Sequence, residues 1–248
     1  MKKLSIIGIG AGNPDYLTVQ AIRALGEIDV VFLIDKGNEK DDLVWLRKEV
    51  CSRYAKKSYR LVEAKDPPRD RTPDDYQMAV GEWHAQRAAI YEKMICEELL
   101  EGQHGAFLVW GDPSLYDSTL RIVDQIAARN TVAFELDVIP GITSVQALAA
   151  RHKIALNRIG GPIHITTGRQ LVAGMPADDV VVMLDGDCAF KNVKDPEVDI
   201  YWGAYIGTED EILVSGKLRD RGHEIETIRN EARRRHGWIM DTYLLRKN

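Results

Sequence analysis

Three glycine- or proline-centred turns hold the residues best placed to do chemistry. Gly8-Ile9-Gly10-Ala11-Gly12-Asn13-Pro14 follows an apolar run and precedes a helical pattern. Glycines there let the backbone adopt positive φ and approach a ligand closely. Trp110-Gly111-Asp112-Pro113-Ser114-Leu115-Tyr116 ends a second apolar run, and Pro140-Gly141-Ile142-Thr143-Ser144 ends a third. The rival for the first turn is the dinucleotide fingerprint G-x-G-x-x-G, with pyrophosphate on the following helix N-terminus. Here the third glycine comes one residue early, position 13 is Asn, and the helix starts only after Asp15-Tyr16-Leu17. A carboxylate at Asp15 would repel a phosphate.

A second group lies on a predicted helix. Trp83 and Arg87 are four residues apart, and His84 and Arg87 three, so they share a face. No His, Cys and carboxylate cluster has ligand spacing, so no metal is expected. Cys51, Cys96 and Cys188 are far apart, form no CxxC pair and are odd in number. They read as reduced thiols of a cytoplasmic protein.

The elements that must position these residues alternate. Lys3–Ile9, Val30–Asp35, Tyr59–Ala64, Gly105–Trp110 and Val132–Ile139 have strand character. Between them, helices are predicted from Thr18 to Ile28 and over Asp41–Ala55, Asp74–Leu100 and Leu115–Arg129, with another over Ile142–Arg151. This order implies a mostly parallel sheet covered on both faces, with the three turns at its carboxyl ends, where α/β sheets place ligands. Beyond it, strands are predicted over Pro162–Thr167, Val180–Leu184, Asp199–Ile206, Glu211–Leu218 and Trp238–Leu245, with a helix over Glu224–Arg235. The expected fold class is two α/β domains, 1–152 with a mostly parallel sheet and 153–248 with a mixed one. The boundary is read from the break at Asn157, Gly160, Gly161 and Pro162.

With 248 residues, 45% of them apolar and 29% charged, the chain can bury a sizeable core without disulfides. A net charge of −5 gives no global footprint for nucleic acid. The longest apolar runs are strand-sized, so no membrane span is expected. The opening Met1-Lys2-Lys3-Leu4 starts like a signal peptide, but its apolar part ends at Gly8-Ile9-Gly10, so it reads as a first strand.

The three turns, in this order and spacing, resemble the tetrapyrrole methylases, and the resemblance covers nearly the whole chain. It implies a cofactor cleft between two α/β domains, usually a homodimer, and S-adenosylmethionine as methyl donor, leaving as S-adenosylhomocysteine. It implies cofactor contacts at Gly10 and Ala11 (the family usually has proline where Ala11 stands), and at Trp110, Gly111, Asp112 and Leu115. Thr143 and Ser144 follow from the third turn. Val180-Val181-Val182-Met183-Leu184 resembles the strand whose methionine meets adenosine, so Met183 and Leu184 are included. Tyr205-Ile206-Gly207-Thr208 resembles a turn that adds a contact at Gly207. A carboxylate such as Asp112, or main-chain carbonyls, can offset the sulfonium charge.

The segment from Lys36 to Leu100 is longer than in most of the family. It resembles the branch acting on precorrin-5, in which ring carbon 1 is methylated and an acetyl group is lost as acetate. Precorrins carry acetate and propionate groups, and guanidinium groups bind carboxylates bidentately. Lys36, Arg69, Arg71, Arg87 and Arg121 are therefore candidate rim contacts, with Trp83 packing on the macrocycle; the alternative for the arginines is solvated side chains paired with Asp66, Asp70 and Asp74. Hydrolytic carbon–carbon cleavage needs an activated water and a stabilised oxyanion. Asp112 is expected to orient cofactor and substrate, with protons handled by His84, Tyr116 or Asp117. Neighbouring pathway enzymes are expected to take the product by transient handover. The rival readings are a nucleotide-dependent oxidoreductase, a noncatalytic tetrapyrrole-binding module and a sister methylase acting on another ring carbon.

Overall fold

A computed structural model describes residues 1–35, 41–56, 58–68 and 75–247. They form two compact units, one of residues 1–10 and 14–142, the other of 11–13 and 143–248.

In the first unit, strands β1 (Lys2–Gly8), β2 (Val30–Asp35), β3 (Arg60–Lys65), β4 (His104–Val109) and β5 (Phe134–Ile139) form one sheet. Its order is β3-β2-β4-β1-β5, and every pair is parallel. Alternate residues of each strand feed opposite faces. Leu4, Ile6, Phe32, Phe107 and Val109 pack with helices α3 (Tyr76–Glu98) and α4 (Thr119–Arg129). Ile7, Ile9, Val31, Ala106 and Leu108 pack with α1 (Val19–Leu25) and α2 (Asp41–Tyr54). Two covered faces explain why β1 and β4 read as mostly apolar runs. With only seven residues, α1 is too short to stand alone. It is held by buried Ala21 and Leu25 and by Thr18, whose Oγ1 accepts from Ala21 N at 3.1 Å.

In the second unit, β6 (Ile163–Thr167), β7 (Asp179–Met183), β8 (Asp199–Ala204), β9 (Ile212–Lys217) and β10 (Asp241–Arg246) form a mixed sheet ordered β6-β7-β10-β8-β9. Only β6 and β7 are parallel; the other pairs are antiparallel. The last strand thus occupies the middle of the sheet. Helix α5 (Ser144–His152) packs on β8, β9 and β10. Helix α7 (Leu218–His236) buries Leu218, Ile225, Arg229 and Ala232, spaced as one helical stripe. Trp202, Tyr243 and Phe190 fill the core.

Four expectations change. The division falls at Ile142 and Thr143, because α5 covers the second sheet and so sorts with it. Helix α4 begins at Thr119 rather than Leu115, because Tyr116 takes a left-handed φ of 53° and breaks the helical path. A short helix α6 (Gly168–Ala173), absent from the sequence reading, links β6 to β7. Helix α7 starts at Leu218, six residues before Glu224. No helix of the described residues is long and apolar enough to cross a membrane.

Candidate functional site

In the first unit the three turns meet. Gly10 and Gly111 form an antiparallel bridge, with Gly111 N donating to Gly10 O at 2.9 Å and Gly10 N to Gly111 O at 3.3 Å. Asp112 joins the second turn to the third: its Oδ2 accepts from Gly141 N at 2.8 Å, and its Oδ1 accepts from Ser114 N at 2.8 Å and from the Ser114 hydroxyl. A Cβ on Gly8 would lie 2.6 Å from Gly141 N and 2.8 Å from Gly111 O, so only glycine lets these strand ends approach so closely. Gly10 has φ of 76°, the left-handed region that glycine enters without a Cβ clash.

Electrostatically, this corner is anionic. Burial pushes the Asp112 carboxyl up, but the bonds from Ser114 and Gly141 outweigh it and hold it below the usual carboxylate range. Asp112 is therefore ionised at neutral pH. Leu115 N closes a tight turn onto Asp112 O at 3.3 Å. Tyr116 is exposed, and partial burial pushes its phenol up. Asp117 Oδ1 accepts from Thr119 N at 2.6 Å. The Trp110 ring packs beside the Ile7 and Ile9 face, and its buried Nε1 makes no hydrogen bond among the described residues.

The aromatic and basic group on α3 is assembled as its spacing implies. The Arg87 guanidinium lies 4.4 Å from the centroid of the Trp83 ring, and His84 is 5.4 Å from that ring. Yet Arg87 is buried. Its Nε donates to Asp66 Oδ1 at 2.7 Å and its Nη1 to Ser118 Oγ at 3.2 Å. Trp83 Nε1 donates to Pro67 O at 3.2 Å. Arg121 is exposed, with Nη1 3.5 Å from Asp117 O. Lys36, Arg69 and Arg71 lie outside the described residues. Arg47, missed by the sequence reading, donates from Nε to Leu108 O at 2.9 Å. Its only sequence signal was a cation on an otherwise apolar-spaced helix.

In the second unit, Thr143 caps α5 by accepting from Val145 N at 3.1 Å, and Gln146 completes a capping box. Ser144 Oγ lies 3.1 Å from Thr242 Oγ1. A Cβ on Gly12 would meet Thr208 Cγ2 at 2.9 Å, so Ala11–Asn13 run against the 206–208 turn, where Gly207 N donates to Glu211 Oε2 at 2.8 Å. Met183 ends β7. Leu184 follows with φ of 52° and its side chain 65% exposed, an unusual cost for a leucine in both respects. The next residue explains how it is held. Buried Asp185 accepts from Ala189 N and the Tyr243 hydroxyl, each at 2.7 Å, and its carbonyl accepts from Arg229 at 2.5 Å.

The fold and these turns define the class. A family model for Tetrapyrrole (Corrin/Porphyrin) Methylases matches residues 3–221, and the chain belongs to that family. Within it, the chain is 53% identical over 250 residues to a precorrin-6A synthase [deacetylating] of Sinorhizobium sp, covering 100% of this chain and 96% of that one. It is also similar to a crystal structure of a cobalamin synthesis related protein, CobF, from Corynebacterium diphtheriae. There the TM-score is 0.88 at 40% identity, covering 100% of this chain and 99% of the other. A uroporphyrin-III C-methyltransferase from Thermus thermophilus, solved in complex with S-adenyl homocysteine, shares the fold: TM-score 0.61, 17% identity, 98% and 91% of the two chains covered.

Proposed function

We propose that this chain is an S-adenosylmethionine-dependent C-methyltransferase of cobalamin biosynthesis. It methylates precorrin-5 at ring carbon 1 and releases acetate, giving precorrin-6A. The observation that carries the reading is whole-length 53% identity to the Sinorhizobium enzyme. The close approach of Gly8, Gly10, Gly111 and Gly141 supports it, since these turns leave main chain bare for a ligand.

The residues present fit the cofactor. In the first unit, Gly10, Trp110, Gly111, Asp112 and Leu115 offer main chain and one fixed carboxylate. In the second, Ala11, Thr143, Ser144, Met183, Leu184 and Gly207 offer small or apolar contacts. Leu184, held exposed at positive φ, is an apolar surface suited to a base. When bound, S-adenosylmethionine supplies an electrophilic methyl on a sulfonium. Asp112 is held ionised by three hydrogen bonds, which leaves it a stationary negative charge able to balance a cation without moving. Holding donor and acceptor in line lowers the barrier by roughly 7–11 kcal/mol.

Trp83, Arg87 and Arg121, with Lys36, Arg69 and Arg71, bind the macrocycle and its carboxylates. For deacetylation, Asp117 or His84 takes a proton from water, which attacks the acetyl carbonyl carbon. Tyr116, whose phenol keeps its proton at neutral pH, donates to the developing oxyanion. The carbon–carbon bond then breaks, its electron pair stays on the ring, and acetate leaves.

The working form is a cytoplasmic homodimer that hands its product to neighbouring pathway enzymes. Edge strand β5 leaves Leu136 and Val138, two residues apart on one face, about 40% exposed, which supports self-association. Cys51, Cys96 and Cys188 stand as free thiols, in keeping with a reducing compartment.

The test is mass spectrometry of the product made from precorrin-5 and labelled cofactor. Gain of one labelled methyl coupled to acetate release is expected. Methyl gain with the acetyl group retained would assign the chain to a sister reaction, and S-adenosylhomocysteine binding without turnover to a carrier.

A further inference from the structure

The first sheet opens between two of its strands. The β2–β4 ladder runs through Val30–Gly105 and Val31–Ala106 and stops at Phe32–Phe107. Beyond it, Ile34 and Val109 diverge at the carboxyl ends of the strands. The topology makes this gap. From β2 the chain moves outward to β3, and from β4 it moves the opposite way to β5. Adjacent strands whose connections part in this manner leave a crevice at their carboxyl ends, where α/β sheets bind ligands.

What lines the crevice is specific. Phe32 and Phe107 form an apolar floor, and Tyr91 stacks on Phe107 with centroids 4.3 Å apart. Arg47 enters from α2 and Arg87 from α3, with Asp117 and Thr119 at the margin. Arg47 is fixed through Nε on Leu108 O, a carbonyl freed by the parting of the strands. Arg87 is fixed through Nε on Asp66 and Nη1 on Ser118, and its Nη2 makes no hydrogen bond among the described residues. Both side chains line the space. The charges facing the space are Arg47, Arg87 and Asp117, with Asp66 behind Arg87. Burial works against the Arg47 charge, Tyr91 and Asp117 favour it, and Arg87 opposes it. An anion between the two would offset both the burial and the repulsion. The cavity holds about 40 Å³, against the roughly 10–15 Å³ that one water needs. That is space for a carboxylate with its adjoining carbon.

We propose that this crevice is a carboxylate subsite, walled by Arg47 and Arg87, which takes a carboxylate arm of the tetrapyrrole or the acetate released from it. The proposed function supplies those two sources; the carboxylate chemistry itself stands on the crevice. Its place at the end of β4 sets it one residue from Trp110 and three from Asp112.

The test uses the full chain and ¹³C-labelled acetate followed by NMR, with S-adenosylhomocysteine calorimetry alongside. Saturable acetate binding is expected, with methyl-to-ring NOEs to Phe32 and Phe107 in the unaltered protein. Arg47→Gln and Arg87→Gln should each weaken it at least tenfold, and Arg47→Lys less. Uroporphyrin, a stable tetrapyrrole bearing eight carboxylates, separates the sources. Displacement of acetate assigns the subsite to a side arm, and simultaneous binding to the released acid. Absence of saturable binding or of the NOEs, or equal affinity in both Gln variants, overturns the subsite. Acetate binding without heat from S-adenosylhomocysteine would remove the cofactor reading and leave the subsite standing.

Discussion

The Asp112 carboxylate accepts a hydrogen bond from the main-chain N–H of Gly141 at 2.8 Å, across 29 residues of chain. This bond ties the end of β4 to the end of β5, and it turns two separate sequence motifs into one surface. Asp112→Asn would keep the shape but set an amide against the Gly141 N–H or lose the Ser114 contacts. The variant should lose roughly 1–3 kcal/mol of stability and bind S-adenosylhomocysteine at least tenfold more weakly. The pH dependence has a definite sign. A carboxyl whose folded pKa is depressed stabilises the fold above its unfolded value, about 3.9, and the contribution fades as pH falls through the folded pKa. Urea titrations should therefore show the two proteins differing fully at pH 6 and converging well below pH 4.

Two glycines predict opposite outcomes for the same substitution. Gly8→Ala places a methyl group against Gly141 and Gly111 main chain, neither of which can yield alone. Loss of S-adenosylhomocysteine binding and a lower melting temperature are expected. Gly81 lies inside α3, where an added Cβ meets nothing within 4 Å. Gly81→Ala should stabilise the protein by about 0.5–1 kcal/mol with turnover unchanged. If calorimetry ranked the two variants alike, the close-approach account of Gly8 would be wrong.

The second unit rests on a buried ion pair. Arg229 Nε lies 3.0 Å from Asp241 Oδ2, and Trp202 Nε1 donates to the same oxygen at 2.9 Å. Both charged side chains are under 5% exposed. Arg229→Met leaves a carboxylate without its cation in the core, at a cost of roughly 3–5 kcal/mol. Because Arg229 also holds Asp185 O, the Leu184 turn should loosen too. Chemical denaturation measures the first effect. Faster amide exchange at residues 184–187 measures the second, and unchanged exchange there would separate the ion pair from that turn.

His104 should act as an acid-sensitive point of the first sheet. Burial and Lys3 lower its pKa, and its Nε2 lies 2.7 Å from Ser5 Oγ on β1. The neutral ring is the native form. The unfolded chain takes up the proton more readily, so this contribution is complete above about pH 6.5 and is lost as pH falls through the folded pKa. His104→Asn should flatten the stability profile between pH 7 and pH 5, as read from melting temperatures across that range.

Local patterns in the chain carried the strands, most helices and all three glycine- or proline-centred turns, because periodicity and turn chemistry act over a few residues. The glycines at 8, 10 and 111 and the acid at 112 were legible for that reason. Helix α4 was over-extended, since nothing in Leu115-Tyr116-Asp117-Ser118 announces the left-handed φ at Tyr116. Ile142–Arg151 looks the same whichever sheet it covers, and only packing on β8 to β10 assigns α5 to the second unit. Arg87 read either as a contact for substrate carboxylates or as a solvated cation paired with an acid such as Asp66; the Asp66 pair forms, but only tertiary packing buries it and adds Ser118. The crevice beside it needed Arg47 to meet a carbonyl 61 residues away, at a place where two strands part. Composition and spacing thus specify what each segment prefers to be. Which groups desolvate one another depends on contacts between distant segments, and those exist only once the sheets have closed over their cores.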